Sequence, residues 1–399
     1  MLVSPLSQDR TQQSQAGGTH RSRLPWNQGL DLARTAAVFL VLYAHSQDLL
    51  KGSSGWTEHP VLAVLEQIFR PGWWGVRIFF ALSGYLIGRE VLAITTNGSI
   101  RDGWMFLARR WIRTVPTFWI VLAVTAVAGG TSWWSREFMS NALFLNTAIL
   151  AKSESSIVAV GWSLVIEEWS YAALGLITLL LCLQQKQRSA QQACRFLGGI
   201  AVFAIAISIS LRVSQAGYAS FTFDQLKKTA TLQLDSLAYG VLLACISAAA
   251  PTLWEQITRR AWLMRLAASI GMCLIGLWLR LEFQLDVADP TAWDFQVLGG
   301  LIYPLSGIVS CVFCLGLWTF EWTTPISKHL AKPARSLSKI SYSVYLTHLP
   351  IKSLPLFRQT PETGSLFLWI AYVMTSICFG YLCWHITERP FMMLRRRLH

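Results

Sequence analysis

Arg34 and His45 stand eleven positions apart in the run GLDLARTAAVFLVLYAHS. At 100° per residue that separation is three turns plus about 20°, so both fall on one helical face, about 16 Å apart along the axis. The stripe carries a permanent cation at one end. At the other is the side chain whose ordinary pKa is nearest neutrality. The segment GWSLVIEEWSYA has a similar pattern: Ser163, Glu167 and Tyr171 share a face, while Glu168 points about 100° away. Glu168 suits an acid complementing a helix dipole, whereas Glu167 on the polar stripe does not. In SYSVYLTHLP, Ser341, Tyr345 and His348 align at i, i+4 and i+7. Asp235 opens a further apolar stretch, as a helix cap or as a buried acid. Arg110 and Arg113 stand in RRWIRTVP and Glu388 in ERPF. These groups are suited to abstracting a proton, stabilising an anion and gripping a phosphate.

The chain around them is apolar. Of its 399 residues 53% are hydrophobic and 14% charged, against about 25% charged in soluble domains; the mean hydropathy is +0.42. So few charges exclude an ordinary soluble fold, and so much apolar surface excludes disorder of the whole chain. The net charge of +13 fits cytoplasmic loops and anionic lipid better than nucleic acid. Most of the eight cysteines lie inside apolar runs. Cys311 and Cys314 form a CxxC without a second pair or a nearby His, which makes packing residues and not a zinc site; no metal is expected.

An all-α, polytopic membrane protein follows, with about ten spanning helices around a central polar cavity. The apolar runs are 31–50, 73–94, 112–129, 161–183, 196–212, 231–249, 262–281, 297–319, 340–357 and 366–386. Residues 138–151 are apolar but too short to span. Residues 1–25 read as a disordered cytoplasmic tail and 26–395 as the membrane domain. Lys and Arg fall about two to one on the segments that place both termini in the cytoplasm, as expected of a plasma-membrane protein. The loop with Asp286, Asp289 and Asp294 then faces outward. In that orientation Arg34, Arg89, Arg110, Arg113 and Glu388 gather at an inner mouth, while His45, Glu167 and Asp235 lie in the outer half. Ionisable groups at such depth mark a reaction site or a solute path. On the residues alone, a transporter of a small anion or a proton-coupled solute is the competing reading.

In order along the chain, these motifs resemble the membrane acyltransferase family called acyltransferase type 3. Arg34 and His45 match its arginine, ten residues, histidine signature. RIFFALSGYLI (77–87), RRWIRTVPTFW (109–119), GWSLVIEEWSY (161–171), LDSLAYGVLLA (234–244), SYSVYLTHLP (341–350) and ERPF (388–391) are similar to its later motifs. Gln233 stands where an arginine is common and Ser170 where a phenylalanine is usual. The resemblance implies about ten helices and an O-acyltransferase. Its donor would be a cytoplasmic acyl-CoA, acetyl-CoA above all. Its acceptor would be a hydroxyl of an extracytoplasmic carbohydrate, glycolipid or similar molecule, and no cofactor would be tightly bound. Within that chemistry His45 is the expected general base, or a transient acyl carrier, with Glu167 orienting it. Tyr345 or His348 would donate to the oxyanion, and Asp235 would belong to the catalytic set. Arg34, Arg110 and Arg113 would hold the donor's phosphates, with Glu388 positioning one of them.

Overall fold

The computed structural model describes residues 27–51, 73–148, 156–184, 188–215, 223–282, 297–358 and 365–396, which form helices and turns with no strand among them. The segment 1–25 and the stretch with Asp286, Asp289 and Asp294 lie outside the described residues. The principal helices are α1 (Gln28–Ala44), α2 (Trp73–Asn97), α3 (Ile100–Ala128), α4 (Gly161–Leu183), α5 (Ala190–Gln215), α6 (Ala238–Ala249), α7 (Pro251–Arg259), α8 (Ala261–Glu282), α9 (Tyr303–Leu317), α10 (Pro325–Lys352) and α11 (Leu366–Cys383). Among the described residues seven helices are long and apolar enough to cross a bilayer, or eight if α6 and α7, bent by 110°, are one span. The chain is therefore an all-α, multi-pass membrane protein, with fewer independent spans by length and apolarity than the ten expected. α1 has 17 residues, and α10 gives its first half, PISKHLAKPARSLSK, to polar and basic residues.

Helix ends depart from the predicted runs for local reasons. The first run breaks at His45, which becomes the C-cap of α1. There the backbone bonds tighten, Ser46 N–H donating to the Tyr43 carbonyl at 3.1 Å, while Ser46 Oγ donates back to the Leu42 carbonyl at 2.6 Å. α3 starts twelve residues before the expected 112, because Ser99 and Asp102 form a capping box. The sixth run becomes helical only at Ala238. Upstream, Gln233, Asp235 and Ser236 give their side chains to tertiary hydrogen bonds.

α2 is the central element, packing on α1, α4, α6 and α9. Without hydrophobic drive between lipid-embedded helices, small residues set how closely backbones approach. Gly84 and Gly88 of α2 face Leu237, Gly240, Val241 and Ala244, and a Cβ on Gly84 or Gly240 would run into backbone across the interface. α1 lies between α2 and α10: Gly75 meets Ala37 and Val41, and Thr35 Oγ1 donates to the Ala334 carbonyl at 2.9 Å.

A buried ion pair ties α5 to the start of α6. Arg212 donates to both carboxylate oxygens of Asp235, each at 2.8 Å, and to the carbonyls of Gly299 and Leu232 at 2.8 and 2.7 Å. Tyr239 OH also donates to Asp235, at 3.2 Å, and both members of the pair are fully buried. Asp235, expected among the catalytic residues, is thus occupied as a structural acid and does not line the cavity described below. Beside it Arg77 donates to Gln233 Oε1 at 2.9 Å, so the glutamine accepts where an arginine would repel. Leaving Arg212 unpaired in the bundle costs about 3–5 kcal/mol. Asp235→Ala is expected to lower the melting temperature of the detergent-solubilised protein sharply. An unchanged melting curve would show that the pair contributes nothing.

Candidate active site

α1, α2, α3, α4 and α10 enclose a cavity of about 100 Å³. Its lining includes Arg34, Arg110 and Arg113 together with Ser163, Glu167, Tyr171 and Tyr345, and Arg113 and Arg110 lie within electrostatic reach of Glu167. The one-face spacing read from the sequence therefore holds in α4, whose Ser163, Glu167 and Tyr171 all reach this space. Glu167 interacts with the hydroxyls of Ser83 and Tyr171, which share a hydrogen bond of 2.8 Å. Glu168, assigned by spacing to the helix dipole, is instead buried between α3 and α4 and accepts from Thr114 Oγ1 at 2.6 Å.

The arginines are held unequally. Arg34 lies 3.5 Å from Asp31, whose Oδ1 accepts from Ser338 at 2.6 Å. Arg110 donates to one oxygen of Glu90 at 2.7 Å, and the adjacent Arg109 to the other at 2.6 Å. Glu90 was not singled out in the sequence, although an acid inside the apolar run of α2 followed by a paired-arginine motif was its signal. Glu388 was expected to position an arginine. Its recorded hydrogen bond comes from Ser343 Oγ at 2.9 Å, with Arg113 in electrostatic reach.

The two histidines sit beyond the Tyr345 end of the cavity. His45 and His348 pack edge to face with ring centres 5.1 Å apart, and His348 lies 5.8 Å from Tyr345. His45 Nδ1 is 2.9 Å from the Val41 carbonyl and His348 Nδ1 is 2.7 Å from the Tyr345 carbonyl. A carbonyl only accepts, so in both rings Nδ1 carries the hydrogen and the neutral imidazole presents a bare Nε2 lone pair. His348 Nε2 is buried without a partner. Two expectations change as a result. The Val41 carbonyl, and not Glu167, makes the orienting hydrogen bond to His45. His348 in its neutral form has no Nε2 hydrogen to donate to an oxyanion, because its single ring hydrogen is committed to Tyr345. Tyr345 OH remains a donor: it is 2.6 Å from Ser163 Oγ and 3.3 Å from the Val160 carbonyl, and the longer bond is the easier to give up.

A family model described as an acyltransferase domain matches residues 27–393. The chain belongs to this family of membrane acyltransferases. It is also 26% identical over 313 residues, 71% of this chain and 68% of the relative, to a protein of Komagataeibacter xylinus named "Putative membrane-bound transacylase BcsY". No solved structure matches it. In an acyltransferase the needed functions are a base, a hydroxyl donor for the oxyanion and a cationic grip on the donor substrate. The bare imidazole nitrogens, Tyr345 and the arginines of the cavity lining have the corresponding chemistry.

Glu90 pairs with two arginines that are 2% and 9% exposed at the side chain. Glu90→Gln is therefore expected to cost about 3 kcal/mol or more, seen as a lower melting temperature. Arg113→Ala should leave that temperature within a few degrees of the parent. Equal melting of parent and Glu90→Gln would show that the pair is held by something other than Glu90.

Proposed function

We propose that the protein moves an acyl group, acetyl being the one expected, from a cytoplasmic acyl-CoA to a hydroxyl of an extracytoplasmic or membrane-associated carbohydrate or similar acceptor. It would do so in the plasma membrane with both termini in the cytoplasm, the orientation that the Lys and Arg bias favours. The observation that carries this reading is a juxtaposition at one cavity. Three arginines and Tyr345 share its lining, and Tyr345 leads to two imidazoles whose Nδ1 hydrogens are committed to backbone carbonyls, which leaves each Nε2 unprotonated.

In the reaction, His45 Nε2 takes the proton of the acceptor hydroxyl as its oxygen attacks the thioester carbonyl carbon. The carbonyl oxygen becomes an oxyanion, and Tyr345 turns its hydroxyl hydrogen from the Val160 carbonyl to meet it. Collapse re-forms the carbonyl and breaks the carbon–sulfur bond. The leaving thiolate takes the proton from the His45 imidazolium. His348 adds a second lone pair beside that imidazolium, and Glu167 acts on the Ser83 and Tyr171 hydroxyls of the cavity lining. Arg34, Arg110 and Arg113 bind the donor's phosphates, and Glu388 acts on Arg113 through its charge. A transient acyl group on His45 Nε2 would use the same free nitrogen.

His45→Ala is expected to reduce acyl transfer by about 10²–10⁴-fold with insertion and melting unchanged, because the ring makes one hydrogen bond and one edge contact. Proteoliposomes supplied with isotopically labelled acetyl-CoA and assayed by mass spectrometry for acylated glycan read this directly. Transfer at the parental rate would remove His45 from the mechanism. In the same assay Arg34→Ala should raise the KM for the donor with a smaller change in kcat. An unaltered donor KM would place the phosphates elsewhere.

A further inference from the structure

A second hollow, of about 520 Å³, lies on the outside of the bundle between α3, α4 and the turn that follows the short helix Arg136–Ala142. That volume is in the range of small-molecule sites. Trp111 and Trp119 of α3, Phe144 of the turn and Trp169 of α4 wall it. The three indoles are 44%, 50% and 45% exposed, so the groove opens away from the bundle. Its shape is built by specific interactions. Pro116 interrupts the hydrogen-bond ladder of α3. Trp119 Nε1 donates to the Ala142 carbonyl and Trp169 Nε1 to the Phe144 carbonyl, both at 2.9 Å, pinning the turn from two sides. Phe144 takes φ of 57°, a left-handed conformation that is unfavourable for a bulky side chain.

Two observations define what this groove accepts. The first is depth. Residues 112–119 lie inside the apolar run 112–129 and residues 168–172 inside the run 161–183, and both helices are long and apolar enough to cross a bilayer. The medium at that depth is hydrocarbon, so an alkyl chain and not water is the natural filling. The second is Glu168, on the groove's lining and 6% exposed. One of its oxygens accepts from Thr114; the other is buried without a partner. A plain alkane leaves that atom unsatisfied at a cost of several kcal/mol in hydrocarbon. A hydroxyl satisfies it in either protonation state, since it both donates and accepts.

We propose that this groove binds a hydroxyl-headed membrane lipid, its alkyl chain against Trp111, Trp119 and Trp169 and its hydroxyl on Glu168. The site is separate from the cavity but adjoins it, because Thr114 belongs to the wall of the one and bonds the acid of the other. Binding needs no turnover, so this inference stands or falls independently of acyl transfer.

The test is photolabelling of the full-length protein in proteoliposomes with a hexadecanol carrying a diazirine on its chain, followed by peptide mapping. Labelling is expected to concentrate on 111–119 and 142–144, several-fold above the lipid-facing surface of α8. Unlabelled hexadecanol should displace it at about one tenth the concentration of hexadecane, the ratio expected of one hydrogen bond to a carboxyl group. Ala172→Trp, which fills the groove, should abolish the enrichment. Glu168→Leu should keep labelling but bring the two competitors to parity. Uniform labelling of all lipid-facing helices, equal competition by alcohol and alkane in the parent, or enrichment surviving Ala172→Trp would each overturn the proposal. The competition in the parent protein decides the matter even if a variant fails to fold.

Discussion

A charged side chain inside a membrane bundle has to be answered by a counter-charge, by hydrogen bonds or by a cavity, because hydrocarbon offers it nothing. That constraint sorts the ionisable residues of this protein into two kinds. Arg212 with Asp235, and Glu90 with Arg109, are closed sets in which opposite charges meet at 2.6–2.8 Å; Arg110 belongs to both kinds, pairing with Glu90 at 2.7 Å and lining the cavity. Arg34, Arg113 and Glu167 face a shared internal space. The closed sets fix the relative placement of α2, α3, α5 and α6, and that placement leaves room for the open set.

The glycine contacts serve the same end. Close approach of α2 to α6 through Gly84 and Gly240 makes α2 a rigid spine against which α1, α3 and α4 are arranged. Ser83, on the turn next to Gly84, reaches Tyr171 of α4. Packing that is purely steric at one position therefore sets hydroxyl geometry at the next. The imidazoles are positioned by backbone and not by acids. Each donates Nδ1–H to a carbonyl three or four residues earlier in its own helix. The tautomer is thus a local property of α1 and of α10, while the meeting of the two rings depends on how those helices pack.

Much of the candidate site's geometry was legible because it follows from spacing along single helices. The common face of Ser163, Glu167 and Tyr171 survives intact, as does the contribution of Arg34, Arg110, Arg113 and Tyr345 to one space. What misled was pairing between helices. Asp235 has a sequence context as suggestive as that of Glu167, but its partner Arg212 ends a different helix, and no periodicity relates the two. Glu168 was assigned to the helix dipole by its angle from Glu167, although α3 lies on that side and supplies Thr114. The break at His45 was also hidden, since the apolar run continues past it.

Composition, hydropathy and the order of short motifs were enough to determine the class: an all-α, multi-pass membrane protein of the acyltransferase family. These properties are carried by local runs of residues and need no knowledge of neighbours. Which acids are free, which hydroxyls meet and where the imidazole lone pairs stand was decided only by tertiary packing. A buried charge's role depends on the partner within about 4 Å, and in a helical bundle that partner comes from another helix tens or hundreds of residues away.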